Sequence, residues 1–313
     1  MPKRFDLSEF IDTIEINGLS GRYINAPGKS PRAKNLNILF IHGHHSSLER
    51  NAGICELLMN YGNFCLPDLP GFGGMNNFYS IGLKPTIDNY ADYVAAFIKF
   101  HYGKKKKFVL IGYSMGFLVV TRMLQKYPEL HSQIKEVISV AGLVHKNDFA
   151  FTKKRLFFYK ISAHIVKTRL VSWVVREVFL RKWFLSTVYT RTHNAKAKFA
   201  GVDKSDLQKL INFEVILWRI NHIPTWCYTS LEMFKADLVT NQQQLPIDLI
   251  SVTVDLDQYF DNKTTEQHMK IVYRKVKIIP LTSAKHSVSV VASAEEAKAF
   301  LPPVLISHLK SMQ

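Results

Sequence analysis

The 313-residue sequence predicts an α/β protein with a mostly parallel central sheet, helices on both faces of the sheet, and an inserted helical cap. Short, wholly apolar runs alternate with stretches whose apolar residues recur at helical spacing, which is typical of a parallel sheet covered on both sides. The alternation stops over residues 145–243 and then resumes. Hydrophobic residues make up 47% of the chain, which is enough for an ordinary globular core.

The two parts of the sheet domain are predicted over residues 1–144 and 244–313. In the first part, the helix over 115–127 stops before Pro128, which cannot continue it. The other elements of that part are two strands within 10–25, strands over 36–41, 64–66, 108–111 and 137–140, and helices over 48–61 and 86–101. The second part adds strands over 248–254 and 276–280 and a final helix over 293–301.

Residues 145–243 are predicted to form a helical cap that carries most of the net charge of +16. Between residues 151 and 200, twelve lysines and arginines are opposed only by Glu177. Three interpretations stay open. In the first, the apolar side of these helices covers a ligand site. In the second, residues 151–184 make peripheral contact with an anionic membrane, since cations beside Trp173 and Trp183 are typical of interfacial helices. The third, nucleic acid, is disfavoured because bulky apolar residues interrupt the cations and no nucleic-acid module is present.

The compartment is predicted from targeting signals and cysteines. The N-terminal residues contain no apolar segment of a secretory signal, and no charge-free apolar stretch is long enough to span a bilayer. Cys55, Cys65 and Cys227 are an odd number of widely spaced cysteines, which fits free thiols in a reducing environment. We therefore expect a cytoplasmic protein, with peripheral membrane attachment left open.

A nucleophile is predicted at Ser114. The segment Gly112-Tyr113-Ser114-Met115-Gly116 matches G-x-S-x-G, follows an apolar strand and opens a helix, which is the context of a nucleophile elbow. The two glycines leave room across the tight turn. The backbone amide of Met115, at the start of the helix, can stabilise an oxyanion.

A serine hydroxyl needs a base to attack at neutral pH, and elbow proteins order the partners serine, acid, histidine along the chain. His286 follows the last predicted strand and precedes the final helix, so it fits the base. Asp255, Asp257 and Asp261 all follow the strand over 248–254. Position alone leaves the acid open among these three.

Together these motifs resemble the α/β-hydrolase superfamily. The resemblance runs through residues 41–43, 68–73, 112–116, 254–261 and 286–288, and the insertion stands where this superfamily usually carries its cap. It implies Asp257 as the acid, because that residue comes three positions after the strand and apolar Phe260 follows. It also implies an oxyanion hole made by the backbone amides of His44 and Met115.

The resemblance implies no cofactor, and the sequence shows two departures from the common pattern. Ser46 and Phe117 stand where many relatives have glycine, and neither change removes a catalytic group. No metal is expected either. His42, His44 and His45 form one cluster without a second, spaced set of ligands, which is a poor pattern for a metal site.

The implied activity is hydrolysis of a carboxylic ester through an acyl-enzyme on Ser114. A hydrophobic acyl group is expected, because the insertion is rich in Phe, Trp and Val, so the partner would be an apolar small-molecule ester. Two alternatives stay open: hydrolysis of a carbon–carbon bond by the same three groups, and a non-catalytic receptor or scaffold. A receptor has no need of Ser114, Asp257 and His286 together, which disfavours that alternative.

Overall fold

The computed structural model describes residues 5–181, 183, 184, 187, 204–240, 243–255, 257–282 and 291–313. The strands in these ranges are β1 (Ile11–Ile16), β2 (Leu19–Ala26), β3 (Asn37–Ile41), β4 (Asn63–Pro67), β5 (Phe108–Tyr113), β6 (Ile134–Val140), β7 (Leu245–Val254) and β8 (Tyr273–Leu281). The helices are α1 (Ala52–Leu58), α2 (Ile87–Tyr102), α3 (Met115–Lys126), α4 (Lys153–Val166), α5 (Arg169–Val174), α6 (Lys204–Ile220), α7 (Ile223–Met233), α8 (Asn262–Val272), α9 (Ala294–Lys298) and α10 (Pro303–Ser311).

The strands form one sheet in the order β1-β2-β4-β3-β5-β6-β7-β8. Strands β3 to β8 run parallel to one another, and at one edge β2 is antiparallel both to β4 and to the edge strand β1. In the middle of the sheet, residues 108–111 of β5 are fully buried, as expected for a parallel strand covered on both faces. The predicted, mostly parallel sheet is confirmed.

Helices cover both faces of the sheet. On one face α2, α3 and α8 bury residues such as Tyr90, Phe97 and Leu118 against the strands. On the other face α1, α9 and α10 bury residues such as Leu58 and Leu305. Each helix thus removes one apolar stripe from water, and this burial is the main favourable term in folding. The predicted layering of helix, sheet and helix is confirmed.

The C-terminal part of the chain differs from the prediction of one final helix over 293–301. Helix α9 ends at Lys298, and a separate helix, α10, begins at Pro303. Pro302 and Pro303 explain the break, because proline lacks the amide that would continue the α9 hydrogen bonds yet suits the first position of a new helix. Within α10, Leu305 and Leu309 are fully buried.

Four described helices, α4 to α7, lie between β6 and β7, and below they are called the cap. They share a small core of their own, which includes Ala163, Ile211, Ile223 and Cys227. The predicted domain boundaries after residues 144 and 243 stay predictions. None of the described helices has the length and apolar character needed to cross a membrane. All three cysteines are buried free thiols, as the sequence predicts.

Candidate active site

Ser114 occupies a sharp turn between β5 and α3. Its backbone has φ 50° and ψ −118°, in the left-handed half of conformational space that side chains usually avoid. The turn is held by hydrogen bonds, since the Ser114 amide donates to the Val140 carbonyl at 3.0 Å and the Phe117 amide donates to the Ser114 carbonyl at 3.0 Å. Such strain costs on the order of 1–3 kcal/mol and persists only where surrounding structure enforces it. This is the backbone geometry expected of a nucleophile elbow.

The glycines of the motif are required by close approach of other backbone atoms. A Cβ on Gly116 would lie 2.2 Å from the carbonyl oxygen of Ile41, and a Cβ on Gly112 would lie 2.5 Å from the Cα of Phe117. Both distances are far inside van der Waals contact. The elbow is therefore pressed against the end of β3, which brings the loop after β3 beside the serine.

That loop passes directly next to Ser114. A Cβ on Gly43 would lie 3.2 Å from the Cβ of Ser114, and Gly43, His44 and Ser114 all line one cavity. Met115 is the first residue of α3, where backbone amides have no partner within the helix. The two predicted oxyanion donors, the amides of His44 and Met115, thus belong to adjoining segments. Their role stays a prediction.

The imidazole of His42 is fully buried and joins two loops. Its Nδ1 donates to the Gly43 carbonyl at 2.8 Å, and its Nε2 accepts the Leu69 amide at 3.1 Å. Burial lowers the pKa of His42 to about 4, so the ring is neutral at pH 7. Both ring nitrogens are engaged with the backbone, and His42 is a structural residue.

His44 and His45 attach the same loop to the cap. The Thr229 hydroxyl donates a hydrogen bond to the Thr225 carbonyl at 2.9 Å. Because its proton is used there, the hydroxyl oxygen accepts a second hydrogen bond from Nε2 of His44 at 2.8 Å. Burial, and then the neighbouring His45, lower the pKa of His44 to about 3. His45 has φ 56°, and its ring centroid lies 4.0 Å from that of Trp218. The cap therefore fixes the conformation of this loop.

The structure accommodates both departures from the common pattern. Ser46 is buried, and its Oγ accepts a hydrogen bond from Asn51 Nδ2 at 3.0 Å. Phe117 is fully buried beneath the elbow and stacks on Tyr273 with ring centroids 5.9 Å apart. The Tyr273 hydroxyl in turn lies 2.9 Å from Thr121 Oγ1. Phe117 thus fills space in the core, whereas Ser46 lines the same cavity as Ser114.

The three candidate acids have different contacts. Asp257 is partly buried, and its Oδ1 accepts the amides of Tyr259 at 2.8 Å and Phe260 at 3.2 Å, which orients the carboxylate in the loop after β7. Asp261 caps α8 by accepting the Thr264 amide at 2.8 Å, and these contacts with Thr264 lower its pKa. Asp255 is exposed. These contacts favour Asp257, whose catalytic role stays a prediction, and the predicted base His286 lies outside the described residues.

A cavity of about 260 Å³ opens at Ser114. Its described walls are mostly aromatic and aliphatic, and they include Ile54, Tyr113, Phe149, Trp218, Trp226, Met233, Tyr259, Phe260, Val291 and Phe300. Polar groups come from His44, His45, Ser46, Arg50 and Asn51. No described residue of 151–184 is among these walls, so the interpretation that those helices cover the site is not supported. The cap contributes instead through α6 and α7.

Several lining residues were missed by sequence reasoning. The buried Arg50 donates to the His45 carbonyl, and its own carbonyl accepts the Val291 amide at 3.0 Å. Trp218 and Trp226 reach the cavity from the cap. The presence of Trp in a cap helix is a weak signal, and no local motif marks Arg50. Their position depends on packing between segments far apart in the chain.

A second group of polar residues lies at the end of β6, and it includes donors of the kind that bind metals. Within the described chain His145, Asp148 and His268 are close enough to share an ion. Their facing atoms are already engaged, because Asp148 Oδ1 lies 2.5 Å from His268 Nδ1 and Oδ2 accepts the amides of Val144 and His145. His145 Nδ1 accepts the Asn147 amide at 3.1 Å. These hydrogen bonds hold the segment that follows β6, with His145 and Asp148, against helix α8.

Comparison with known proteins agrees with this geometry. The model of the serine aminopeptidase, S33, family matches residues 32–288. A search of curated proteins finds no match. Three solved structures have TM-scores of 0.64, and at their low identities the likeness shows the fold alone. An epoxide hydrolase of Bacillus megaterium is 14% identical, and the match covers 96% of this chain and 99% of that one. An enol-lactonase from Burkholderia xenovorans LB400 is 12% identical, and the match covers 96% of this chain and 100% of that one. A bacterial membrane phospholipase A is 14% identical, and the match covers 96% of this chain and 86% of that one.

Proposed function

Because the chain belongs to the serine aminopeptidase S33 family of the α/β-hydrolase superfamily, we propose that it cleaves a carboxylic ester with a compact, apolar acyl group through an acyl-enzyme on Ser114. The observation that carries the proposal is the placement of Ser114, in a strained elbow, at a cavity with mostly apolar walls. At about 260 Å³ the cavity is slightly smaller than the roughly 300–1,000 Å³ typical of ligand pockets, which favours a compact acyl group.

The proposed reaction has two steps. Ser114 Oγ attacks the ester carbonyl carbon while His286 accepts the hydroxyl proton, and the amides of His44 and Met115 stabilise the oxyanion. The alcohol leaves with the proton that His286 returns, and the acyl group stays on Ser114. Water then attacks the acyl carbon with His286 as the base, releases the carboxylic acid and restores the serine. Asp257 keeps the histidine in the required tautomer.

The lining of the cavity favours an ester over the peptide substrate of an aminopeptidase. Recognition of a peptide N-terminus calls for a carboxylate near the scissile bond, since a buried ammonium must be paired. None of the described lining residues is an aspartate or glutamate, and Arg50 contributes a positive charge. A neutral acyl group fits these walls better than an ammonium. The enol-lactonase among the structural neighbours is named for a cyclic ester, which is consistent with this choice.

The experiment combines covalent labelling with a substrate comparison. A fluorophosphonate probe should label the wild type and fail to label Ser114→Ala, whereas Ser139→Ala on the neighbouring strand β6 should label normally. The wild type should hydrolyse p-nitrophenyl esters of short acyl chains much faster than amino-acid p-nitroanilides. Labelling retained in Ser114→Ala would reject the nucleophile. Faster cleavage of the anilides would reject the ester and point to an aminopeptidase.

A further inference from the structure

A cleft on the surface of the cap is lined by several positively charged side chains. It has a volume of about 700 Å³ and lies between the loop before α2, the start of α5 and the start of α7. Lys84, Lys167, Arg169 and Arg176 line it together with His222, and its described lining contains no aspartate or glutamate. Below it is called the cationic cleft.

The charges of the cationic cleft are not neutralised by ion pairs with other described residues. Glu177, the acid nearest in sequence, pairs with Arg181 at 3.5 Å. The pKa of His222 is lowered, first by burial and then by the positive charge of Arg176. The contribution of Arg176 indicates a positive electrostatic potential at this histidine. Cations held near one another repel, and a bound anion removes that cost. The cleft is therefore suited to a group of concentrated negative charge such as a phosphate.

Exposed apolar side chains stand beside the cationic cleft. Leu170, Trp173 and Trp183 are 73%, 61% and 63% exposed. Trp173 lines the cleft itself, and it also lines a shallow depression together with Val178 and Trp183. Leu170 and Trp173 are three residues apart in a helix, so they share a face. A contiguous apolar surface of this kind marks a site of interaction.

Helix α4, which precedes α5 in the chain, also exposes apolar side chains to solvent. Phe158, Ile161 and Ile165 are 55%, 41% and 53% exposed, and their spacing places them along one side of the helix. Ala163 is the one residue of α4 that is buried. Phe158, Ile161 and Ile165 thus face away from the protein core, whereas Ala163 and Val166 pack into the core of the cap.

We propose that the cap docks on a bilayer containing anionic phospholipids, with a headgroup phosphate in the cationic cleft and Leu170, Trp173 and Trp183 in the boundary between headgroups and acyl chains. Cations combined with exposed tryptophan and leucine form the pattern of an interfacial surface. A free inorganic anion would neutralise the cleft but would leave these apolar side chains in water. A nucleic acid would leave the aliphatic residues without a partner for the same reason.

The docking surface lies close to the catalytic cavity. Helix α7 separates the two, because Pro224 and Tyr228 line the cationic cleft while Trp226 lines the cavity at Ser114. Residues 224 and 228 are one helical turn apart, and residue 226 points to the opposite side. Docking would therefore place the bilayer against the outer side of a helix that forms one wall of the active site.

The experiment measures sedimentation of the 313-residue chain with lipid vesicles. The protein should bind vesicles of phosphatidylcholine mixed with phosphatidylglycerol at low salt, and should not bind phosphatidylcholine alone. A variant with Lys167→Gln, Arg169→Gln and Arg176→Gln should lose roughly a hundred-fold in affinity, because each cation near an anionic surface contributes on the order of a fivefold gain. The matched control removes the same charge from an exposed turn, with Lys104→Gln, Lys105→Gln and Lys106→Gln, and should bind nearly as the wild type.

A second variant tests the apolar part separately. Leu170→Ala with Trp173→Ala keeps every cation, so it should bind at low salt but lose the fraction that resists high salt. Thermal unfolding of each variant checks the fold. Equal losses in the cleft variant and the turn control would overturn the proposal, as would indifference to anionic vesicles or retention by duplex DNA instead. No substrate is present, so the outcome is independent of whether Ser114 is the nucleophile.

Discussion

The backbone amide of Leu69 donates a hydrogen bond to Nε2 of His42 over 3.1 Å. This contact joins the loop after β4 to the loop after β3, beside which Ser114 stands. Since Nε2 must accept, the contact requires a neutral imidazole, and burial lowers the pKa of His42 to about 4. The position of the loop beside Ser114 is therefore linked to the protonation state of His42.

The first prediction concerns the pH dependence of stability. The unfolded chain binds a proton at His42 below about pH 6.5, whereas the folded chain does so only near pH 4, so the free energy of unfolding should fall as the pH falls between these values. The contribution is on the order of 3 kcal/mol. In His42→Gln, which retains an acceptor near the Nε2 position, urea unfolding should show a weaker pH dependence. The exposed His164→Gln is the control, and parallel pH curves for wild type and His42→Gln would contradict the prediction.

A second prediction concerns the elbow. Gly116→Ala places a methyl group against the Ile41 carbonyl, at 2.2 Å without relaxation, so it should lower the free energy of unfolding by roughly 3 kcal/mol or more and displace Ser114. Gly74→Ala is a useful control, because its Cβ would enter open space. It should cost only about 1 kcal/mol, from its φ of +88°. Denaturant unfolding measures both, and an equal cost would show that close packing is not what requires glycine at position 116.

The third prediction separates the candidate acids. Asp257→Asn should lower kcat for ester hydrolysis by roughly four orders of magnitude, because the histidine base would be held in the wrong tautomer. Asp261→Asn should be nearly neutral for activity and stability, since asparagine also caps helices well. Asp255→Asn should be neutral as well. If the asparagine at 261 or 255 abolishes turnover while Asp257→Asn retains it, the acid is misassigned and the serine mechanism still holds.

The fourth prediction concerns acyl-chain preference. Met233 lines the cavity, and Met233→Ala enlarges it, so the ratio of kcat/KM for long over short p-nitrophenyl esters should rise. Met123→Ala deletes the same side chain from the buried core of α3, away from the described lining of the cavity. It should cost about 2–5 kcal/mol of stability without changing that ratio. An unchanged ratio in Met233→Ala would mean that the acyl group binds elsewhere.

Local patterns in the sequence were enough to predict most of the sheet domain. Apolar runs of four to six residues between helical segments predicted the buried strands. The apolar run of β5 is followed at once by G-x-S-x-G, and this pattern predicted the sharp turn at Ser114. These features depend on residues adjacent in the chain. The break between α9 and α10 at Pro302 and Pro303 was equally local, although the prediction of a single final helix passed over it.

The sequence by itself thus determined the fold, the position of the elbow at Ser114 and the excess of cations between residues 151 and 200. Only the tertiary structure decided what surrounds Ser114 and which side of the cap faces the cavity. The cavity is built from segments that include Arg50, Phe149, Trp218 and Phe300, which meet only when the sheet and the cap have packed. Periodicity shows that a helix has an apolar side but does not show what that side contacts, because burial is a property of the whole packed chain.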